Sequence, residues 1–181
     1  MKTKDKIIQL LRSTGREGVD KLIQWLEHRD FFTAPCSIKH HNNFEGGLAE
    51  HSWNVYILLK EKNERYKLCI PWESVILVGL LHDVCKVDFY EKALDKETGK
   101  VIYVYNDKYP LGHGEKSIIM VQKYIYLTKD EQLMIRWHMS CFDISSYSKQ
   151  TYYNAVEMCP GVVALFAADY EATTFLERIE K

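Results

Sequence analysis

Cysteine chemistry leaves no pattern in this chain. The five cysteines (Cys36, Cys69, Cys85, Cys141, Cys159) are odd in number and contain no CxxC spacing, so neither a disulfide framework nor a thiolate zinc site is indicated. They read as reduced fillers. An excess of charge is missing too: 24 basic residues face 25 acidic ones, too even a balance for a duplex nucleic acid partner, though small or short anionic substrates remain open. No apolar run is long enough for a membrane span. The stretch MKTKDKIIQLLRSTGREG is too short and too interrupted in its apolar part for a signal peptide, so no membrane partner and a cytoplasmic location are expected. Internal repeats and low-complexity tracts are absent as well.

What is present is ordinary globular material. At 181 residues and 46% apolar composition the chain can bury a real core, and one domain over residues 1–181 is expected. KDKIIQLLRS and VDKLIQWLEHRD carry helical spacing on either side of Gly15 and Gly18, which predicts a helical hairpin over residues 1–30. After turn-rich FFTAPCSIKHHNNFEGG, the stretch LAEHSWNVYILLKEKNERY has a helical period, with His51 in its first turns. PWESVILVGLLHDVCK is apolar on nearly every side and reads as a central buried helix with His82 and Asp83 near its carboxyl end.

VDFYEKAL and KVIYVYN flank DKETG and predict a peripheral β-hairpin at about residues 87–105, with Gly99 in the turn. His113 stands at the amino end of the helix EKSIIMVQKYIYL. Thr128 and Glu131 spell a capping box before a helix that carries His138 late, and Pro160 opens an apolar helix with Asp169 in its middle. The fold class expected is therefore all-α with a small β-hairpin, its ligand-bearing core spanning residues 44–178.

His51, His82, Asp83, His113, His138 and Asp169 ask for a metal. A carboxylate taken out of water and left unpaired costs roughly several kcal/mol, and a divalent cation offsets that. A lone buried histidine is more often a hydrogen-bonded core residue than a ligand. A series of them on different helices is another matter, since helices that aim imidazoles and carboxylates inward can hold one or two ions. Lys86, three residues after Asp83 and four after His82, falls on the same helical face, whereas Arg136, two before His138, projects away. Thr173 and Lys116 pass the same spacing test. His40 and His41 read as solvated loop residues or a substrate rim, and His28 as surface. Tyr103, Tyr105, Tyr152 and Tyr153 read as packing residues or a base-stacking wall.

The strings GGLAEHSWNV, LLHDVCK, GHGEKS, RWHM and FAADYEA resemble, in this order, the HD-domain metal-dependent phosphohydrolases, over roughly residues 44–175. The resemblance implies a helical HD-domain bundle in which His51, His82, Asp83 and Asp169 bind a first metal. Asp83 then bridges to a second metal held by His113 and His138, and Lys86 contacts substrate phosphate. Several binuclear branches, the cyclic dinucleotide phosphodiesterases among them, have a double histidine where this chain has His138 and Met139.

The activity so implied is hydrolysis of a nucleotide or short-oligonucleotide phosphoester, monoester or diester, by water activated on one or two divalent ions (Fe, Mn, Ni, Co or Zn). Asp83 and Lys86 are the catalytic candidates. Two alternatives stand beside it: an oxygenase of the kind that some HD-fold proteins build on a di-iron centre, and a non-catalytic nucleotide-binding regulatory module.

Overall fold

The helical periods of the sequence become helices in the computed structural model, which describes residues 2–38 and 42–177. α1 (Thr3–Ser13) and α2 (Val19–His28) form the amino-terminal hairpin and bury Ile7, Leu11, Leu22, Ile23 and Leu26. α3 (Gly47–Tyr66) is followed by α4 (Trp72–Leu81), which is buried along its length from Ser74 to Leu81. β1 (Tyr90–Leu94) and β2 (Val101–Tyr105) pair antiparallel, with Tyr90 opposite Tyr105 and Leu94 opposite Val101. α5 (His113–Gln122), α6 (Lys129–Trp137), α7 (Lys149–Met158) and α8 (Gly161–Glu171) complete the order. The architecture is all-α with one small hairpin.

Packing of these helices explains where the ligand candidates meet. α3 lies against α4 and α8, while α6 packs on α5 and α8. Two glycines let the ligand-bearing helices approach closely: a Cβ on Gly79 would stand 2.8 Å from Tyr56 Cα, and one on Gly114 would stand 2.4 Å from the Arg136 carbonyl oxygen. Any larger residue there would push apart the helices that carry His51 and His82, or His113 and His138. The capping box forms as expected, and its Glu131 does more than cap. Fully buried, Glu131 accepts from Ser74 Oγ at 2.7 Å and pairs with Arg16, tying the amino-terminal hairpin and α4 to α6.

Three local features differ from the sequence reading. The central helix does not run through the His–Asp pair. It ends at Leu81, His82 caps it, Asp83 breaks the period (φ −105°, ψ 16°), and residues Val84–Lys86 form a single 3₁₀ turn. The last apolar helix likewise changes pitch, becoming a π-turn over Ala172–Leu176. α7 has no counterpart in the sequence reading, because KQTYYNAVEM is short of aliphatic residues and buries only Ala155, leaving little 3.6-residue contrast to detect. Among the described residues no helix is long and apolar enough to cross a membrane.

Candidate metal centre

Four histidines and two aspartates from five places in the chain converge at the end of α4. His51 comes from α3, His82 and Asp83 from the break after α4, His113 from the first turn of α5, His138 from the cap of α6 and Asp169 from α8. His51 Nε2 lies 3.3 Å from His82 Nε2, 3.2 Å from Asp169 Oδ1 and 3.5 Å from Asp83 Oδ2. On the other side of the same carboxylate, His113 Nε2 is 2.6 Å and His138 Nε2 3.5 Å from Asp83 Oδ1. Lys86 Nζ sits 2.6 Å from Asp83 Oδ2, so the spacing expected for a helical face is met instead by the 3₁₀ turn.

The way these helices end decides which ring nitrogen faces inward. A helix leaves its last carbonyls without intrahelical partners. His82 Nδ1 donates to the Gly79 carbonyl at 3.0 Å, and His138 Nδ1 donates to the Ile135 carbonyl at 2.6 Å, each bonding three residues back. With Nδ1 carrying the proton, Nε2 presents its lone pair to the cluster. His51 is oriented by a carboxylate: its Nδ1 lies 2.9 Å from Glu177 Oε2, and Asn54 Nδ2 donates to Glu177 Oε1 at 2.9 Å. Glu177 follows directly on the π-turn and was not among the candidates from sequence. A charged residue 126 positions from its partner offers no local signal.

These donors fit a divalent cation. His138 Nε2 is fully buried and has no hydrogen-bond partner among the described residues, although a carboxylate oxygen stands 3.5 Å away. Two Nε2 atoms face each other at 3.3 Å. Acceptor against acceptor repels unless a proton or a metal lies between. Protons fill that role when no ion is bound. Burial alone would lower the pKa of His51, but Cys36, Asp169 and Glu177 carry it well above the usual imidazole range. Burial holds His82 down to about 3, so this ring is neutral and ready to ligate. Burial opposes ionisation of both aspartates, yet Lys86, His113 and His82 hold Asp83 well below the usual carboxylate range, and His51 does the same for Asp169.

Donor atoms fall into groups within 4.8 Å of one another: His51 with His82 and Asp169; His82 with Asp83 and His138; Asp83 with Cys85 and His113; and Cys36 with His51 and Asp83. Two cysteines taken as fillers thus stand beside the ligand candidates. Their lack of CxxC spacing hid them, since the chain brings them together from residues 36 and 85. Burial pushes the Cys36 thiol up to about 11.

A cleft of about 530 Å³ opens over the cluster, with Asp83, Lys86, His113, His138 and Asp169 in its lining. Phe89, Tyr90 and Tyr105 supply one group of its aromatic residues and Phe142, Phe166 and Tyr170 another, with Thr173 among the lining residues. Other candidates fall elsewhere. Lys116 does not face the cluster: its Nζ pairs with Asp107 at 2.7 Å and lies over the Phe89 ring. Arg136 pairs with Glu115 and Asp143, as its spacing predicts for an outward residue. His28 is exposed. Tyr152 bonds Ser140 Oγ at 2.8 Å, Tyr103 lies beneath Lys92, and Tyr153 is half exposed. His40 and His41 lie outside the described residues.

The chain matches a family model, that of the HD domain, over residues 48–174. The chain belongs to the HD-domain family. HD domains are, as a superfamily, metal-dependent hydrolases, and the buried histidine–aspartate cluster of this HD domain can hold a metal. No curated protein and no solved structure matches the chain significantly.

Glu177 gives this centre a testable outer contact. A carboxylate on the far nitrogen of a ligating histidine fixes its tautomer and raises its basicity. Glu177→Gln is expected to weaken metal affinity by ~10–100-fold while leaving the far-ultraviolet circular dichroism unchanged, read by competition with a chromophoric chelator. Wild-type affinity in that variant would leave His51 without need of its partner.

Proposed function

We propose that this HD domain is a metal-dependent phosphohydrolase that acts on a nucleotide or a short oligonucleotide. One observation carries the proposal: a single cleft combines the histidine–aspartate cluster, a half-buried lysine and two groups of aromatic side chains. When bound, a divalent ion supplies an activated water nucleophile and neutralises charge at phosphorus. His51, His82, Asp83 and Asp169 would hold one ion. Asp83 turns Oδ2 toward His51 and His82 and Oδ1 toward His113 and His138, the disposition a bridging carboxylate needs for a second.

Lys86 supplies fixed positive charge. Burial works against its ammonium form, but Asp83 and Cys36 raise its pKa well above the usual lysine range, so Nζ stays protonated and acts as a donor. It is placed to hold a non-bridging phosphate oxygen. Phe166 and Tyr170 stack with ring centroids 5.9 Å apart, and Phe142 stacks on Tyr170 at 6.2 Å. Tyr90 and Tyr105 pair across the hairpin at 5.3 Å. Flat apolar surfaces of this kind accept a base by its face, with little demand on its hydrogen-bonding edge.

The test is a screen of mononucleotides, cyclic nucleotides and short oligonucleotides against protein loaded in turn with manganese, iron and nickel. Base-bearing substrates are expected to exceed phenyl phosphate in kcat/KM. Phe166→Ala is expected to raise KM for them by roughly 5–100-fold, the loss of one stacking contact, with little change in kcat. A preference for phenyl phosphate, or oxygen uptake by the iron form without phosphoester cleavage, would overturn the proposal.

A further inference from the structure

Cys85 is buried, 2% exposed, yet it stands outside the apolar cluster that takes in its neighbours Val84 and Val87. Cys36, the other thiol near the site, belongs to that cluster. The surroundings of Cys85 are polar instead. Its donor atom lies within 4.8 Å of donors on Asp83 and His113, and among the described residues this is the one such group that His113 joins.

The backbone keeps it there. Cys85 N donates to Ser117 Oγ at 3.2 Å, and Ser117, four residues after His113, is on the same face of α5. The 3₁₀ turn that carries Cys85 is thus stitched to the helix face that presents His113. The buried Nε2 of His138, which has no hydrogen-bond partner among the described residues, ends 3.5 Å from Asp83 Oδ1, the same oxygen that His113 Nε2 meets at 2.6 Å.

We propose that Cys85 is a thiolate ligand of the second metal ion, completing a donor set of Asp83, His113 and His138. The inference rests on the two-ion reading given above. On binding, the S–H bond of Cys85 gives its proton to solvent and the sulfur lone pair forms the bond to the ion, with no change of oxidation state. One soft donor among imidazoles and a carboxylate turns preference toward iron, cobalt or zinc and away from manganese. The set of donors within reach of His113 therefore bears on metal choice.

Cobalt(II) separates this inference from the reading beneath it, because the ion reports its ligands by absorption. The full-length protein is stripped with chelator, reloaded with cobalt and titrated, with bound cobalt counted per chain. Expected is a thiolate-to-cobalt charge-transfer band in the near ultraviolet that grows with the second equivalent. The band persists in Cys36→Ser and is lost in both Cys85→Ser and Cys85→Ala, each checked for folding by circular dichroism. Loss of an outer contact to a ligand already costs ~10–100-fold in affinity, so the second cobalt is expected to bind at least ~10-fold more weakly in Cys85→Ser.

Two cobalt ions bound to the wild type without the band, or a band lost in Cys36→Ser instead, overturns the assignment of Cys85 and leaves the two-ion reading standing. Binding of one ion or none overturns both. The wild-type spectrum needs no variant, so a substitution that failed to fold would not shelter the inference.

Discussion

Asp83→Ala is expected to yield a protein that retains no metal through gel filtration and whose turnover falls by about four orders of magnitude or more. No other side chain can replace this carboxylate, because its two oxygens face different pairs of histidines, Oδ2 toward His51 and His82 and Oδ1 toward His113 and His138. Removing it strips a shared donor from both halves of the cluster at once. The effect extends to stability. Lys86 Nζ lies 2.6 Å from Asp83 Oδ2, and both side chains are withdrawn from solvent.

An ammonium left there without its counter-charge destabilises the metal-free fold by about 3–5 kcal/mol, measurable as a lowered midpoint of urea unfolding. Asp83→Asn keeps the shape of the carboxylate and separates the loss of charge from the loss of volume. Retained metal together with full activity in either variant would sink the bridging role.

Lys86→Met is expected to behave differently: metal stays bound, while kcat falls by ~10²–10³, the range seen when one preorganised donor to a developing charge is removed. Methionine matches the length and apolar stem of lysine and deletes only the ammonium. Since Nζ lines the cleft and is held there by Asp83, its charge is available where a phosphoryl oxygen would lie. Lys86→Arg should recover little, because a planar fork does not fill the place of a compact point charge beside a buried carboxylate. Metal analysis next to steady-state kinetics checks the pair of claims. Should Lys86→Met lose metal in step with activity, the lysine would serve to orient Asp83 and have no direct part at the substrate.

Much of the helical framework was legible because it is local. Apolar residues at 3.6-residue spacing marked α1 to α3, apolar stretches opened by Pro71 and Pro160 marked α4 and α8, and the box of Thr128 and Glu131 marked the start of α6 at the residue where it begins. α7 escaped because a helix that buries one alanine has almost no apolar stripe. The π-turn over Ala172–Leu176 escaped because a change of pitch leaves no mark in composition, yet the chain leaves that turn at Glu177, the partner of His51.

The candidate site was legible in its donors and obscure in its surroundings. His51, His82, Asp83, His113, His138 and Asp169 all meet, as their residue types and order led one to expect. Lys116 passed the same spacing test and lies elsewhere, since a position on a helix face does not say which neighbour that face meets. The hairpin reads as an outlying element and its far end is exposed, with Leu94 70% and Val101 66% accessible. Its near end nevertheless brings Tyr90 and Tyr105 to the cleft.

The sequence by itself determined the chemistry on offer: imidazole and carboxylate groups in a fixed order, each on or beside a different helix except the adjacent His82 and Asp83, with a lysine one short turn from the central aspartate. Only the tertiary structure decided how that chemistry is arranged. Which nitrogen of His82 and of His138 faces inward depends on where a helix ends. Which carboxylate steadies His51, and which thiol stands beside His113, depends on contacts between residues far apart in the chain. Periodicity records the interactions of a residue with its neighbours one turn away. The angles at which helices cross, set by close approaches such as Gly79 on Tyr56 and Gly114 on Arg136, are written in no single stretch of the sequence.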